Sequence, residues 1–363
     1  MFGERLKLAR KKAGFSLRAL SEALDGRVSA QAIGKYERGA MMPSSGILLA
    51  LAKTLGVSLD YLMGAQVHKL EGAEFRKKSG TSATERAQVE AAVIEHVERY
   101  LTIEEILELD SAEWHRPLQE ARLESFEQAA DLADRVRRVW NLGEEPIPNM
   151  TELLEERGIK ICITPLPESV SGMTCLVKRT GDLPPVPVIV VNRHHTLERR
   201  RLTLAHELAH RLIHETSPID HEKAAHFFAG AFLIPQVHLV REIGKHRNAL
   251  GYYELVQLKR MYRVSAAALL VRLKDIGVID ASTLTYAFQT FAKSWRRAEP
   301  APLEAPGQEG THEPTRRFER LCYWALAERL ISLSKASELL QRPLRRVEMD
   351  MKGPTGEDAH YCQ

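Results

Sequence analysis

The chain has 363 residues, enough for two or three domains with separate hydrophobic cores, and its apolar (44%) and charged (27%) contents are ordinary for a globular protein. Its net charge of +3 is small, so any nucleic-acid contact must come from a local concentration of cations. The absence of an 18-residue apolar run argues against a membrane span, and the four cysteines, Cys162, Cys175, Cys322 and Cys362, lack C-x-x-C spacing, which is typical of reduced thiols in a cytoplasmic protein.

The first 64 residues predict five short helices. Ser16 and Ser29 are placed as N-caps of Leu17–Leu24 and Ala30–Glu37, and a tight connection near Asp25–Val28 joins these two helices. This pattern is typical of a helix-turn-helix module, and we expect an all-α domain over residues 1–66. The run Ser29-Ala-Gln-Ala-Ile33, the run Tyr36-Glu-Arg-Gly39 and Pro43 resemble the Cro/C1 (XRE) family.

Positive charge is concentrated in the same segment. Residues 1–64 contain ten Lys/Arg and five Asp/Glu, a net charge of +5 that exceeds the +3 of the whole chain. This favours binding to double-stranded operator DNA. In such a module the start of the second helix meets base edges, so Ala30, Gln31 and Lys35 are the candidates for base contact. Gln31 could pair with adenine, while Ser16 and Arg38 are placed against phosphates.

A second motif lies in Leu202–Glu215, a mostly apolar helical segment that contains His206-Glu207-Leu208-Ala209-His210. Residues four apart share a helix face, so His206 and His210 are predicted to bind one Zn²⁺. Glu207 lies beside them, where it could take a proton from a water at the metal. The alternative is that both histidines are core-edge residues of an amphipathic helix.

A zinc site of this kind needs a third protein ligand. The metzincin spacing would require a histidine where Thr216 stands, so that subclass is excluded. Glu222 and His226 are four apart in the next helical segment. We expect Glu222 to be the ligand and His226 to orient a ligand, with His226 as the ligand in the alternative. The other nearby histidines are predicted to lie at a helix end (His214) or in solvated loops (His194, His195 and His221).

The surrounding residues resemble the ImmA/IrrE metallopeptidase family. The resemblance rests on Val188–Asn192, Arg199–His210, Glu222-xxx-His226-x-Phe228-Ala229 and Leu233-Ile-Pro235, and it covers roughly residues 125–280. One departure is His226, where that family often has Asn. The resemblance implies an α+β zincin-like domain over residues 125–285 that cleaves a repressor or antitoxin protein. The alternative is a regulator or antitoxin whose zinc-peptidase fold senses or binds a partner without cutting it.

Three strands are predicted before the His206 helix, at 158–163, 172–177 and 186–191, which makes the expected fold mainly α with a small β-sheet. Val188–Asn192 could receive an extended peptide by strand addition, or it could be an edge strand that only flanks the core. Tyr262 and Arg272 are candidates for stabilising an oxyanion. They lie in the helical pair Glu254–Asp280, which we expect to complete the metal domain.

The remaining segments are predicted to connect these domains. Residues 67–124 are expected to be a linker and a helical connector, which could pack on the peptidase domain or mediate a homodimer. Residues 286–315, rich in Pro, Glu and Gly, are expected to be a flexible linker. Residues 316–363 return to a helical pattern.

Overall fold

The computed structural model describes residues 2–63, 67–71, 83–179, 182–295 and 298–353. As predicted, these residues form mainly helices with one small sheet, and no described helix is long and apolar enough to cross a membrane. The helices are α1 (Phe2–Lys12), α2 (Leu17–Ala23), α3 (Ala30–Glu37), α4 (Ser45–Leu55), α5 (Leu59–Met63), α6 (Ala83–Ile106), α7 (Phe126–Val139), α8 (Met150–Glu156), α9 (Leu197–Ala209), α10 (His221–Leu233), α11 (Gln236–Ile243), α12 (Tyr252–Tyr262), α13 (Ala266–Asp275), α14 (Ala281–Gln289), α15 (Arg316–Ala327), α16 (Leu333–Leu340) and α17 (Leu344–Lys352). The strands are β1 (Val67–Glu71), β2 (Lys160–Thr164), β3 (Gly172–Arg179) and β4 (Val186–Asn192).

The N-terminal five helices pack around a core that includes Leu6, Leu20, Ile33 and Leu51. The connection between α2 and α3 turns sharply because Asp25 and Gly26 both take positive φ angles, 55° and 70°. Helix α1 lies very close to the end of α3, since a Cβ atom built on Gly3 would fall 2.5 Å from the carbonyl oxygen of Tyr36. This close approach, together with the shared core, fixes α3 relative to α1.

The sheet has the strand order β1-β3-β4-β2, in which β4 runs antiparallel to β3 and parallel to β2. All seven residues of β4 are buried. Strand β4 is therefore paired on both sides, with β3 and with β2. Val188–Asn192 is not an edge strand, and a peptide cannot add to it as a further strand, so both interpretations of this segment were wrong. The sheet also begins earlier than expected, because β1 lies inside the predicted linker and pairs with β3. The rest of that linker, residues 72–82, lies outside the described residues.

Helix α6, from the predicted connector, joins three parts of the molecule. It packs against α1, against the sheet and against α15. The Arg5 guanidinium of α1 pairs with Glu98, and Lys12 of α1 donates to Glu95 at 2.6 Å. Glu95 also accepts a hydrogen bond from Gln341, which follows α16. The connector is therefore a packed scaffold helix between the head and the C-terminal helices.

The segment before α15 is anchored to the protein, which corrects the prediction of a flexible linker over residues 286–315. Its residues 286–289 belong to α14, and residues 298–315 have no helix or strand but carry two buried carboxylates. Glu304 pairs with Arg200 at 2.9 Å, and Glu313 pairs with Arg201. Both arginines are buried on α9, and a buried guanidinium needs a charged partner. Composition identified the lack of regular structure but could not reveal these partners.

A buried polar cluster lies where α6, α8, β2 and α15 meet. Glu104 accepts from Lys160 at 2.5 Å and from Arg317 at 2.9 Å, and Lys160 also donates to the carbonyl oxygen of Ser111. Glu155 is fully buried beside these groups, and neither of its carboxyl oxygens accepts a hydrogen bond from a described residue. Burial raises the pKa of Glu155 from 4.5 to about 8, although Arg317 and Lys160 oppose the shift.

Stability should therefore depend on pH through Glu155. The unfolded chain loses this proton near pH 4.5 whereas the folded chain keeps it to about pH 8, so the free energy of unfolding falls as the pH rises through this window. Glu155→Gln removes that dependence. The difference in unfolding free energy between the variant and the wild type should therefore be roughly 3–5 kcal/mol more in favour of the variant at pH 8.5 than at pH 5. Urea unfolding at both pH values measures the difference. Glu156→Gln, at the exposed neighbouring position, is the control. Parallel pH profiles for wild type and Glu155→Gln would contradict the assignment.

Candidate metal centre and DNA-binding face

Helices α9 and α10 hold the predicted zinc ligands. Helix α9 is buried along nearly its whole length, with Leu204, Ala205 and Leu208 in the main core, and α10 packs on it and contributes Ala225 and Ala229 to the same core. Small side chains at such an interface let helix axes approach closely. Helix α9 ends at Ala209, and the chain beyond it is tied by hydrogen bonds to residue 121.

The ligand atoms of His206, His210 and Glu222 lie within 4.8 Å of one another. The Nε2 atoms of the two histidines are 3.1 Å apart, and the Glu222 carboxylate oxygens lie 3.3 Å from His206 Nε2 and 3.6 Å from His210 Nε2. Tetrahedral zinc with bonds of about 2.0–2.1 Å requires ligand atoms roughly 3.3 Å apart. The donor set and its spacing therefore fit Zn²⁺ with a fourth position left for another ligand.

His226 lies beside this group but outside it. Its ring centroid is 4.5 Å from that of His206, with the two planes inclined by 51°. The three converging donor atoms are those of His206, His210 and Glu222. The side chain of Glu222 is 70% exposed, whereas those of His206 and His210 are about 10% exposed, so the three donors meet at an open surface of the molecule.

Glu207 lies on α9 and is 3% exposed. Its negative charge contributes to raising the pKa of the Cys175 thiol on β3 to about 12, after the larger effect of burial. Arg211 stands four residues after Glu207, and its positive charge opposes that shift. The carboxylate is thus held in a largely dehydrated place next to the first histidine.

Other predicted residues lie in different positions from those expected. His195 is 7% exposed and not solvated, because the loop after β4 folds onto the protein. Tyr262 is fully buried and its hydroxyl is hydrogen-bonded to His238 at 2.6 Å, so it is engaged in the core rather than at the metal group. Arg272 is buried and its Nε donates to the carbonyl oxygen of Ile234.

The remaining histidines, His194, His214 and His221, occupy less enclosed positions. His194 is exposed, as expected. His214 lies beyond the end of α9, where its Nδ1 is 2.8 Å from the Thr216 hydroxyl. His221 is half-buried at the start of α10, and its Nε2 lies 3.1 Å from the carbonyl oxygen of Ser217.

Sequence reasoning missed the polar supports of α9. Arg200 and Arg201 are paired with Glu304 and Glu313, and Glu198 in the first turn of α9 is paired with fully buried Lys259. The signal available in the sequence was three charged residues, 198, 200 and 201, within a helix that had to be buried. Their partners lie 61 to 112 residues away, so no local pattern could have identified them.

The predicted DNA-binding residues lie on the surface of the head. Gln31 and Lys35 are exposed and stand four apart on α3, so they share one face. Ala30 is half-buried at the first position of that helix, and Arg38 is exposed just after it. The hydroxyl of Ser16 accepts a backbone N–H of α2 at 3.0 Å, which caps the helix that precedes α3.

Two further contacts set the orientation of α3. Arg10 of α1 pairs with Glu37 at 2.5 and 3.0 Å, and Ile33 and Tyr36 bury the opposite side of α3 in the core. The exposed face of α3 is therefore held outward by packing on one side and an ion pair at its end.

Comparisons with known proteins agree with this division. Residues 6–62 match the family model described as helix-turn-helix, and residues 154–274 match that of the IrrE N-terminal-like domain of peptidase family M78. A curated relative from Bacillus subtilis (strain 168), the SPbeta prophage-derived uncharacterized HTH-type transcriptional regulator YonR, is 41% identical over 63 residues. These residues are 17% of this chain and 56% of the relative, so the chain spans about half the length of the relative it matches. No solved structure matches. Residues 6–62 thus form an XRE-type helix-turn-helix domain and residues 154–274 an IrrE-like domain of a metallopeptidase family, joined in one chain.

Proposed function

We propose that the chain is a DNA-binding transcriptional regulator whose IrrE-like domain is a zinc-dependent endopeptidase that cuts a repressor or antitoxin protein. The observation that carries the proposal is the convergence of His206, His210 and Glu222 at 3.1–3.6 Å, beside a buried carboxylate at Glu207. Three protein donors with an open side are typical of catalytic rather than structural zinc sites.

The residues have separate roles in this reaction. When bound, Zn²⁺ would supply Lewis-acid polarisation of the peptide carbonyl and a lowered pKa of an attacking water. His206, His210 and Glu222 would hold the ion, and the His226 ring would fix the orientation of His206. Glu207 would accept the proton of the attacking water and pass it to the leaving amine nitrogen.

The head would bring this domain to operator DNA. The exposed face of α3 offers Gln31 and Lys35 to base edges, and Ala30 starts the same helix close to the groove. Ser16 and Arg38 flank that face and would hold phosphates. A cut repressor would then be released where the regulator is bound.

Replacement of the proposed general base tests the chemistry. Glu207→Gln keeps the size of the side chain but removes its basicity, so cleavage should fall by roughly 10²–10⁴-fold. The measurement is the rate of fragment formation from a repressor encoded beside this chain, followed by mass spectrometry. Zinc content and operator binding should stay at the wild-type values. Glu215→Gln, at an exposed position beyond the end of α9, is the control and should cut normally. Cleavage by Glu207→Gln at the wild-type rate would contradict the enzymatic proposal.

A pair of variants decides which residue of α10 is the third ligand. Glu222→Ala removes a donor atom, so the protein purified without added metal should contain far less than about one zinc per chain. His226→Ala should retain the ion with affinity weakened by roughly 10–100-fold, as expected for a residue that orients a ligand. His221→Ala is the control in the same helix. Zinc is measured by atomic emission. Loss of zinc in His226→Ala but not in Glu222→Ala would assign the ligand to His226.

The base-reading role of α3 has its own test. Gln31→Ala should weaken binding to the operator by about 1–3 kcal/mol and leave binding to random DNA nearly unchanged, because an amide reads a base whereas phosphate contacts are sequence-independent. Arg38→Ala should weaken both kinds of binding. Fluorescence anisotropy at a fixed salt concentration measures both affinities. Equal losses on the two DNAs for Gln31→Ala would contradict base reading.

A further inference from the structure

A cleft of about 700 Å³ opens beside the metal group. It is bounded by Leu202 of α9, by His226 and Gly230 of α10, by Val271 of α13 and by Trp295. The volume lies in the range of pockets that bury a ligand rather than a single water. The cleft is therefore large enough for one or more side chains of a bound peptide.

The cleft lies along the helix faces that carry the metal group, although the three donor residues themselves do not line it. Glu222, His226 and Gly230 stand four apart on α10 and so lie along one face. On α9, Leu202 stands four residues before His206 and shares its face in the same way. The distance along α10 from Glu222 to Gly230 is about 12 Å, or eight residues at 1.5 Å. An extended peptide covers that distance in roughly three to four residues.

One wall of the cleft is apolar. Leu202, Ala267 and Ala268 are half-buried, Val271 is partly exposed, and Trp295 also lines the cleft. On the opposite side, Gly230 keeps the space open, since a Cβ atom there would have the Arg272 side chain at 3.7 Å as its nearest neighbour. Burying a Phe or Leu side chain against such a wall contributes about 1.5–3 kcal/mol.

His195 offers a polar group inside the same cleft. It is 7% exposed, and a hydrogen bond to the Glu168 backbone engages one of its two ring nitrogens, which leaves the other for a ligand. Burial, assisted by Arg199, lowers the pKa of His195 to about 4, so the ring is neutral and has one N–H donor and one acceptor nitrogen. With the N–H donated to the Glu168 backbone, the other nitrogen can accept the N–H of a peptide main chain. The loop after β4, which carries His195, is held in place by Asn192. The side-chain amide of Asn192 donates to the carbonyl oxygens of Leu166 and Val170.

We propose that this cleft is the substrate-recognition subsite of the peptidase, and that it takes a bulky apolar side chain two to four residues from the bond that is cut. His195 hydrogen-bonds the substrate main chain there. The inference rests on the proposed function, because it requires a protein substrate that passes the metal group. It assigns sequence preference to Leu202, Ala268, Val271 and Trp295, and not to the metal ligands.

Peptide binding without cleavage tests the apolar wall. The protein is the full zinc-loaded chain with Glu207→Gln, and the probes are blocked pentapeptides, one of five alanines and one with a central phenylalanine. A lone phenylalanine can settle in the cleft whatever the register of the peptide. Isothermal titration calorimetry should show at least about tenfold tighter binding of the phenylalanine peptide. Equal affinities for the two peptides would overturn the proposal.

Two variants, each made in the Glu207→Gln chain, test the cleft itself: one reduces its volume and the other adds a charge to it. Ala268→Phe fills it, and Val271→Asp places a carboxylate at its exposed rim, where folding is little affected. Each should remove the advantage of the phenylalanine peptide. Val237→Phe, at an exposed position of α11 outside the cleft, is the matched control and should keep the advantage. If both cleft variants still bind the phenylalanine peptide more tightly than the alanine peptide, apolar recognition lies elsewhere and the proposal is overturned.

His195→Leu separates main-chain from side-chain recognition. It should weaken both pentapeptides by the same factor, roughly fivefold for one hydrogen bond, and leave the ratio of their affinities unchanged. An unchanged affinity for both peptides would remove His195 from the site.

The failure of this inference is distinguishable from that of the proposed function. If Ala268→Phe, made in a chain that keeps Glu207, cleaves the repressor as fast as the wild type, the peptidase stands and the subsite is overturned. Binding of the phenylalanine peptide with the expected variant pattern, but without cleavage of the repressor by the wild-type chain, would overturn the peptidase and leave the cleft as a peptide-binding site only.

Discussion

The packing of α9 against α10 is the constraint on which the candidate site depends. Each helix carries its polar groups at four-residue spacing, so these groups meet only if the two helices lie in one register. Alanines 205 and 209 of α9 and alanines 225 and 229 of α10 are buried in the core that both helices share, where small side chains leave room for neighbouring helices to approach, and the donors of the two helices lie 3.1–3.6 Å apart. A larger residue at these buried positions would have to displace a neighbouring element, and any shift of α9 relative to α10 would spread the donors.

The position of α9 is fixed in turn by charges that are buried in pairs. Glu198, Arg200 and Arg201 are nearly inaccessible, and an unpaired charge there would be strongly destabilising. Their partners come from α12 and from residues 298–315. The segment that resembled a linker is therefore part of the support of the metal helix, and we infer that the structural unit around the site extends to about residue 313, beyond the border at 285 that the sequence pattern indicated.

The parts of the fold that follow from local chemistry were predictable from the sequence. N-caps at Ser16 and Ser29, the four-residue spacing of His206 and His210, and the β-branched run of β4 each have a short-range cause. The prediction that β2 starts at residue 158 was wrong by two residues, because Gly158 takes a φ of 85° in the turn that ends α8. The burial of His195, the pairing of β1 with β3 and the partners of Arg200 and Arg201 all depend on contacts between distant segments, which no local pattern encodes.

The same distinction applies to the charge of the head. The sequence gives residues 1–64 ten cationic side chains, but Arg5, Arg10 and Lys12 are paired with Glu98, Glu37 and Glu95. Ten minus three leaves at most seven for phosphates. Since each phosphate contact changes the salt dependence of binding by about 0.9 in log–log slope, the slope for this head should not exceed roughly 6 in magnitude. Arg10 forms its ion pair within the DNA-binding head, whereas Arg5 and Lys12 form theirs with α6. Part of the charge that suggested DNA binding therefore fixes the head on the scaffold helix.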